Sequence, residues 1–159
     1  MESVTPAAVA EVARSVLPAL LTSSADAYAR LIPERELYGR VFRPELAASA
    51  LAAHHARWRP GITLEQPRPG ALPTVITTTA ESFGEPGHPD AARFPGGYRR
   101  IARELQPGVI WSLVRFVVPG QRTGLVFDGF AHLGGTAFAW FPKPYTLVRA
   151  ARPEVYHDG

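Results

Sequence analysis

Proline punctuates this chain so often that no regular element can run far. Sixteen of the 159 residues are proline, about a tenth against a typical ~5%, and most lie between apolar-periodic segments. Each one fixes its own φ, removes an N–H donor and pushes the preceding residue toward extended backbone. Short elements joined by stiff turns are the consequence. An apolar share of 46% and a charged share of 19% belong to a globular chain rather than a disordered one. The length suits one domain with a real core.

The clearest element is an N-terminal helix. Thr5 suits its cap and Pro6 its first turn. Val9, Val12, Ala13, Val16, Leu17, Leu20 and Leu21 then follow the spacing of one apolar stripe, with Pro18 expected to kink or split the helix. A second helix is predicted from Ser24 to Leu31, ended by Pro33. A third runs from Glu45, after Pro44, to about Trp58, with Ala47, Leu51, His54 and Trp58 on its apolar face. Beyond Gly61 the chain turns β-branched. Ile62–Gln66 and Thr74–Phe83 read as strands around a Pro67–Pro73 turn. A Gly/Pro-rich loop over 84–97 leads to a short helix with Tyr98, Ile101, Ala102 and Leu105 on one face. Strands are expected at Val109–Val118, Thr123–Leu133 and Thr136–Val148. The predicted fold class is α+β, with N-terminal helices packed on a curved, mostly antiparallel sheet, in a single domain over residues 1–159.

The last hairpin determines which side chains share a face. A two-residue turn at Gly134-Gly135 pairs Ala131 with Phe138, Phe130 with Ala139 and Gly129 with Trp140, each large ring against a small partner. The rival is a turn at Asp128-Gly129, which leaves strands of about four residues. Extending the longer hairpin through Pro119–Arg122 sets Val114 opposite Phe127 and Leu113 opposite Asp128. Alternation then separates two faces. Val114, Phe116, Leu125, Phe127, Phe138 and Trp140 form the face under the helices. Trp111, Leu113, Arg115, Asp128, Phe130, His132, Phe141 and Lys143 form the other.

That second face carries the candidate site. Arg115 and Lys143 sit diagonal to Asp128 within reach of long side chains. They form either an ion cluster on a wet sheet face or the floor of a pocket walled by Trp111, Phe130 and Phe141. Two flanking cations are expected to lower the Asp128 pKa, favouring binding over proton transfer. His132 lies about 13 Å along the strand from Asp128, too far for a dyad. His54 and His55 diverge by ~100° on their helix and read as a surface pair, with no third ligand at metal spacing. Phe94-Pro95-Gly96-Gly97-Tyr98-Arg99-Arg100 reads as a loop supporting a helix start. Phe141-Pro142-Lys143-Pro144-Tyr145 reads as an edge strand closed by prolines. There is no Gly-x-Ser-x-Gly nucleophile motif.

Charge narrows the partners. Lys plus Arg number 17 and Asp plus Glu 14, a net +3, with Lys143 the single lysine. The cations are spread almost evenly, so no nucleic-acid partner is expected. The absence of cysteine excludes disulfides and thiolate chemistry. No apolar run approaches a membrane span and the start lacks a basic n-region, so the expected setting is cytoplasmic, with no membrane partner. No cofactor is expected.

Helices ending at Arg30-Leu31-Ile32-Pro33, followed by a closing pattern from Asp128 through Gly134-Gly135 to Trp140-Phe141-Pro142, resemble the superfamily of nuclear transport factor two, ketosteroid isomerases and polyketide cyclases. The resemblance implies a pocket between sheet and helices, and a homodimer. No catalytic motif carries over residue by residue. The leading expectation is a small binding domain with a sheet-lined pocket for a small apolar or anionic ligand, formed by Trp111, Arg115, Asp128, Phe130, His132, Phe141 and Lys143. A cyclase- or isomerase-type enzyme using the same pocket, and a protein-interaction or dimerisation module without a small ligand, are the alternatives.

Overall fold

The computed structural model describes residues 4–22, 31–58 and 65–152. The helix predicted at Ser24–Leu31 and the strand predicted at Ile62–Gln66 lie largely outside them. Four antiparallel strands follow one another in the order β1 (Leu72–Thr79), β2 (Ile110–Val117), β3 (Leu125–Gly134) and β4 (Ala137–Trp140). Among the described residues five α-helices accompany them: α1 (Pro6–Leu21), α2 (Leu37–Val41), α3 (Pro44–Trp58), α4 (Gly97–Arg100) and α5 (Pro144–Ala151). The fold class is therefore α+β. No helix among the described residues is long and apolar enough to cross a membrane.

The helix α1 forms as its sequence requires. The Thr5 side chain accepts a hydrogen bond from the Ala8 N–H at 3.1 Å, and Val9, Ala13, Leu17 and Leu21 bury one stripe. Pro18 does not split it. It sits in the last turn, where its missing N–H removes a single i→i−4 bond, and its carbonyl accepts from the Thr22 N–H and hydroxyl. The stripe packs on Val114, Phe116, Phe127, Phe138 and Trp140, with Leu125 at the margin. These are the six residues expected to lie under the helices.

Most of the opposite sheet face is covered rather than wet. The 30 residues joining β1 to β2 fold back over it, together with α2, α3 and α5. Tyr38, Phe42, Leu46, Ala50, Phe83, Phe94, Tyr98 and Leu147 cover Ile76, Trp111, Leu113 and Phe141 there. Edge-to-face aromatic contacts run from Phe94 through Tyr98 and Trp111 to Phe141 and Tyr38, the geometry their quadrupoles favour. The sheet is thus sandwiched between two helical layers.

Two irregularities in β3 decide the register. Val114 pairs with Phe127 as expected, but between Val114 and Ser112 the strand β3 carries one residue too many. Asp128 and Gly129 together face Leu113, a bulge in which Gly129 takes φ +94°. Phe130 therefore points to the α1 layer beside Phe127, and its ring stacks on Trp140 at 6.0 Å. The hairpin is closed by Gly135-Thr136, with Gly134 paired to Ala137. Ala131 pairs with Ala139 and Phe130 with Trp140, one residue away from the expected register. What covers Gly129 is not Trp140 but the backbone of Phe141, whose N–H donates to the Gly129 carbonyl at 2.7 Å.

Three other expectations change. Thr74–Phe83 is strand only to Thr79, where the Thr79 and Ser82 side chains cap a 3₁₀ turn over Ala80–Gly84. Thr136–Val148 is strand only to Trp140. Pro142 and Pro144 remove two donors, Lys143 adopts a left-handed φ of 49°, and Pro144 opens α5 at a position suited to proline. In α3 the buried line is Leu46, Ala50 and His54, so His54 is a core residue while His55 is exposed.

Gly129 and Gly134 allow the bulge to be tested. Both have positive φ, so alanine at either costs about 1–2 kcal/mol of backbone strain. A Cβ at Gly134 meets open space, whereas one at Gly129 runs into the Phe141 carbonyl and the Pro142 Cα. Gly129→Ala should cost about 1–3 kcal/mol more than Gly134→Ala. Equal losses in urea melts would show that Phe141 does not lie on Gly129.

Candidate functional site

Six of the seven expected site residues fall into three separate environments, and Lys143 bridges only through its backbone. Trp111 and Phe141 are fully buried in the second layer's core. The Trp111 indole N–H has no acceptor among the described residues, which is a cost rather than a function. Phe130 and His132 are turned by the bulge to the α1 side. His132 stands against Phe138 at 5.3 Å and its Nε2 lies 3.0 Å from the Gly135 carbonyl oxygen. Arg115 and Asp128 do share the opposite face, but they do not meet. The Arg115 guanidinium donates to the Arg122 carbonyl at 2.7 Å.

Asp128 is 6% exposed and serves as an anchor. Its Oδ2 accepts the Tyr98 hydroxyl at 2.5 Å and the Lys143 backbone N–H at 3.1 Å, and its carbonyl accepts the Trp140 indole N–H at 2.9 Å. The Lys143 side chain is exposed. Burial pushes the Asp128 carboxyl above its ordinary range, outweighing the lowering effect of both hydrogen bonds and of the Lys143 charge. This reverses the expected sign, because Arg115 is turned to the Arg122 carbonyl and desolvation outweighs the charge of Lys143. Burial and the neighbouring carboxylate raise the Tyr98 hydroxyl as well, so the phenolic proton stays on Tyr98.

Around this anchor the backbone of the corner is held from several sides, the Phe141 N–H by Gly129 and the Lys143 N–H by Asp128. Arg57 from α3 donates to the Pro142 carbonyl at 3.0 Å and to the Thr146 hydroxyl, and that hydroxyl donates to the Lys143 carbonyl at 2.7 Å. Behind it, the Tyr38 hydroxyl meets His54 Nδ1 at 2.7 Å. Burial, reinforced by Arg57 and His55, lowers His54 to about 3. His54 is therefore neutral near pH 7.

Among the described residues a concavity lies elsewhere on the same face, at the end of the sheet that the second layer leaves uncovered. Leu113 pairs with Ile76, and Arg115 lies between Thr74 and Val126. Ile76, Leu113 and Phe94 are buried, whereas Thr74 and Val126 are exposed. The step between covered and uncovered rows makes an open groove of about 530 Å³, with Arg93 and Arg115 at its sides. A second hollow of about 400 Å³ on the other face is lined by both Glu65 and Arg68. Of the expected site residues only Arg115 lines the larger groove. Arg93 and Phe94 were missed because they come from the loop over 84–97, well before β2 in the chain, with no periodic signal to place them on the sheet.

The core histidine yields a pH prediction. An unfolded His54 titrates near 6.5, and the folded one near 3. Between these values the unfolded state binds more protons, so this group's stabilisation is complete above pH 6.5 and is lost as pH falls. A Tyr38→Phe/His54→Leu double variant removes the titrating group without orphaning its partner. From pH 6.5 to 4 the wild type should lose about 3 kcal/mol more than this variant, at ~1.36 kcal/mol per pH unit. Parallel stability curves from urea melts would refute it. Asp128 acts in the opposite sense, because a raised native carboxyl loses stability as pH rises through its native value. Asp128→Asn should flatten that descending limb.

Comparison with protein-family models, curated proteins and solved structures finds no match to this chain.

Proposed function

We propose that the chain is a binding domain whose ligand is a small apolar or anionic molecule held in the groove at the uncovered end of the sheet. The observation that carries this reading is the groove's construction. Side chains from three adjacent strands and from Phe94 make an apolar floor, and only a few polar groups stand at its rim. Its volume of about 530 Å³ lies within the ~300–1,000 Å³ of small-molecule sites. The floor is strand-borne and rigid, so a ligand need order little on binding.

The same groove favours binding over catalysis. Asp128, the carboxylate whose pKa is raised, lies beneath Tyr98 and the Lys143 turn and does not line the groove. A general base needs hydrogen-bond reach to its substrate. Kinship with the nuclear transport factor two-like superfamily also belongs to this proposal, although the pocket that resemblance implies lies between sheet and helices and this groove lies on strands beyond the helical layer.

Nile red, a neutral dye that brightens in apolar surroundings, tests the location. Val126 is 43% exposed, so Val126→Trp should fill the groove with little effect on folding. The wild type should bind the dye saturably, and Val126→Trp should weaken it about tenfold, equivalent to ~1.4 kcal/mol. Undiminished binding by a folded Val126→Trp variant would place the site elsewhere and end this reading.

A further inference from the structure

Resting on that reading, we infer that the groove selects an amphipathic monoanion, an apolar body ending in a carboxylate or a similar singly charged group. Arg93 and Arg115 both line it, and among the described residues no acidic one does. Among the described residues neither arginine has an ion-pair partner. That contrasts with Arg152, which is neutralised by Glu45 and Glu104, and with Arg14, which pairs with Glu11. Arg93 and Arg115 thus give the described lining of the groove a positive excess, in a chain whose charges are otherwise well mixed.

The floor dictates the rest of the ligand. Ile76, Phe94, Leu113 and Val126 offer no side-chain hydrogen-bonding atom, so a polar body would lose its water there without replacement. A bare inorganic anion would leave this floor uncovered and forfeit the apolar contribution. Arg115 is half-buried and already oriented by its bond to the Arg122 carbonyl, which holds the guanidinium in place without consuming all five donors. Guanidinium groups suit carboxylates because two parallel N–H donors match the two oxygens. Arg93 is exposed and acts at the rim, where solvent screens it. A cationic amphiphile of the same shape would be repelled by both.

Displacement of Nile red by octanoate, 1-octanol, octylammonium and inorganic phosphate, each below its aggregation limit, tests the inference. Octanoate should compete at least tenfold more strongly than octanol. Octylammonium should be weaker than octanol, and phosphate ineffective at millimolar concentration. Arg115→Gln should reduce octanoate affinity about tenfold and Arg93→Gln about threefold, while octanol changes less than twofold in either. Added salt should weaken octanoate and leave octanol unaffected. If octanoate and octanol compete equally, the monoanion inference falls while the groove stands as an apolar site. Phosphate competing as well as octanoate would also overturn it, in favour of a bare anion site. Dye binding that Val126→Trp does not reduce would instead remove the groove itself, so the two failures are told apart.

Discussion

The bulge at Asp128-Gly129 is the feature from which the end of β3, β4 and the corner after it take their arrangement. One extra residue in β3 reverses the alternation of every side chain after it. Phe127 and Phe130 consequently both serve the α1 layer, three residues apart, which an unbroken strand would forbid. Asp128 is turned toward the other layer, where Tyr98 meets it. Gly129, without a Cβ, lets the Phe141 backbone come close enough to bond its carbonyl. A single local defect thus brings together the two cores and the end of β4.

Burying a carboxylate at that point is costly, and its raised pKa measures the cost. The return is positional. Lys143 is the one non-glycine residue with positive φ among those described, a conformation that disfavours side chains. It persists because its neighbours over-determine it. Asp128 accepts its N–H, Thr146 donates to its carbonyl, and Arg57 holds the preceding carbonyl. That corner turns β4 into α5, whose Leu147 and Val148 complete the second core. The close contact of Gly97 with the Tyr145 ring fastens α4 to the same helix. Asp128, read in the sequence as part of a site, is better understood as the pin of this corner.

How much of this was legible depended on whether the governing signal was local. The α1 stripe was, because a cap, a proline and a 3.6-residue period all agree over Thr5–Leu21. So was the pairing of Val114 with Phe127, since the short connection between β2 and β3 constrains register. The bulge was not, although its signature is present: Asp128-Gly129 reads locally as a turn, whereas a glycine inside a long strand pattern also marks a bulge. Helix α5 was missed because Thr146 and Val148 favour strands, and tertiary packing of Leu147 overrode that preference. The second helical layer was invisible for a deeper reason. Its components come from four separated stretches, and nothing in the spacing of Tyr98 or Phe83 reveals which sheet face they will cover.

The groove and the pinned corner occupy the same sheet face yet rest on different parts of it. Arg115 and Val126 face each other in the part of the β2–β3 ladder before the bulge, in a register continuous with Val114–Phe127. Ile76 and Leu113 are fixed by the unbroken β1–β2 ladder. The groove's floor is therefore set without reference to the bulge, to β4 or to α5. Its rim is fixed by another close approach, since Gly124 lies against the Phe116 carbonyl with no room for a Cβ. The strain, the buried charge and the irregular register are all gathered at the Asp128 end, where they hold the fold. The regular ladder at the Arg115 end keeps an apolar surface and two cations, unpaired among the described residues, close together, the condition for a preorganised binding site.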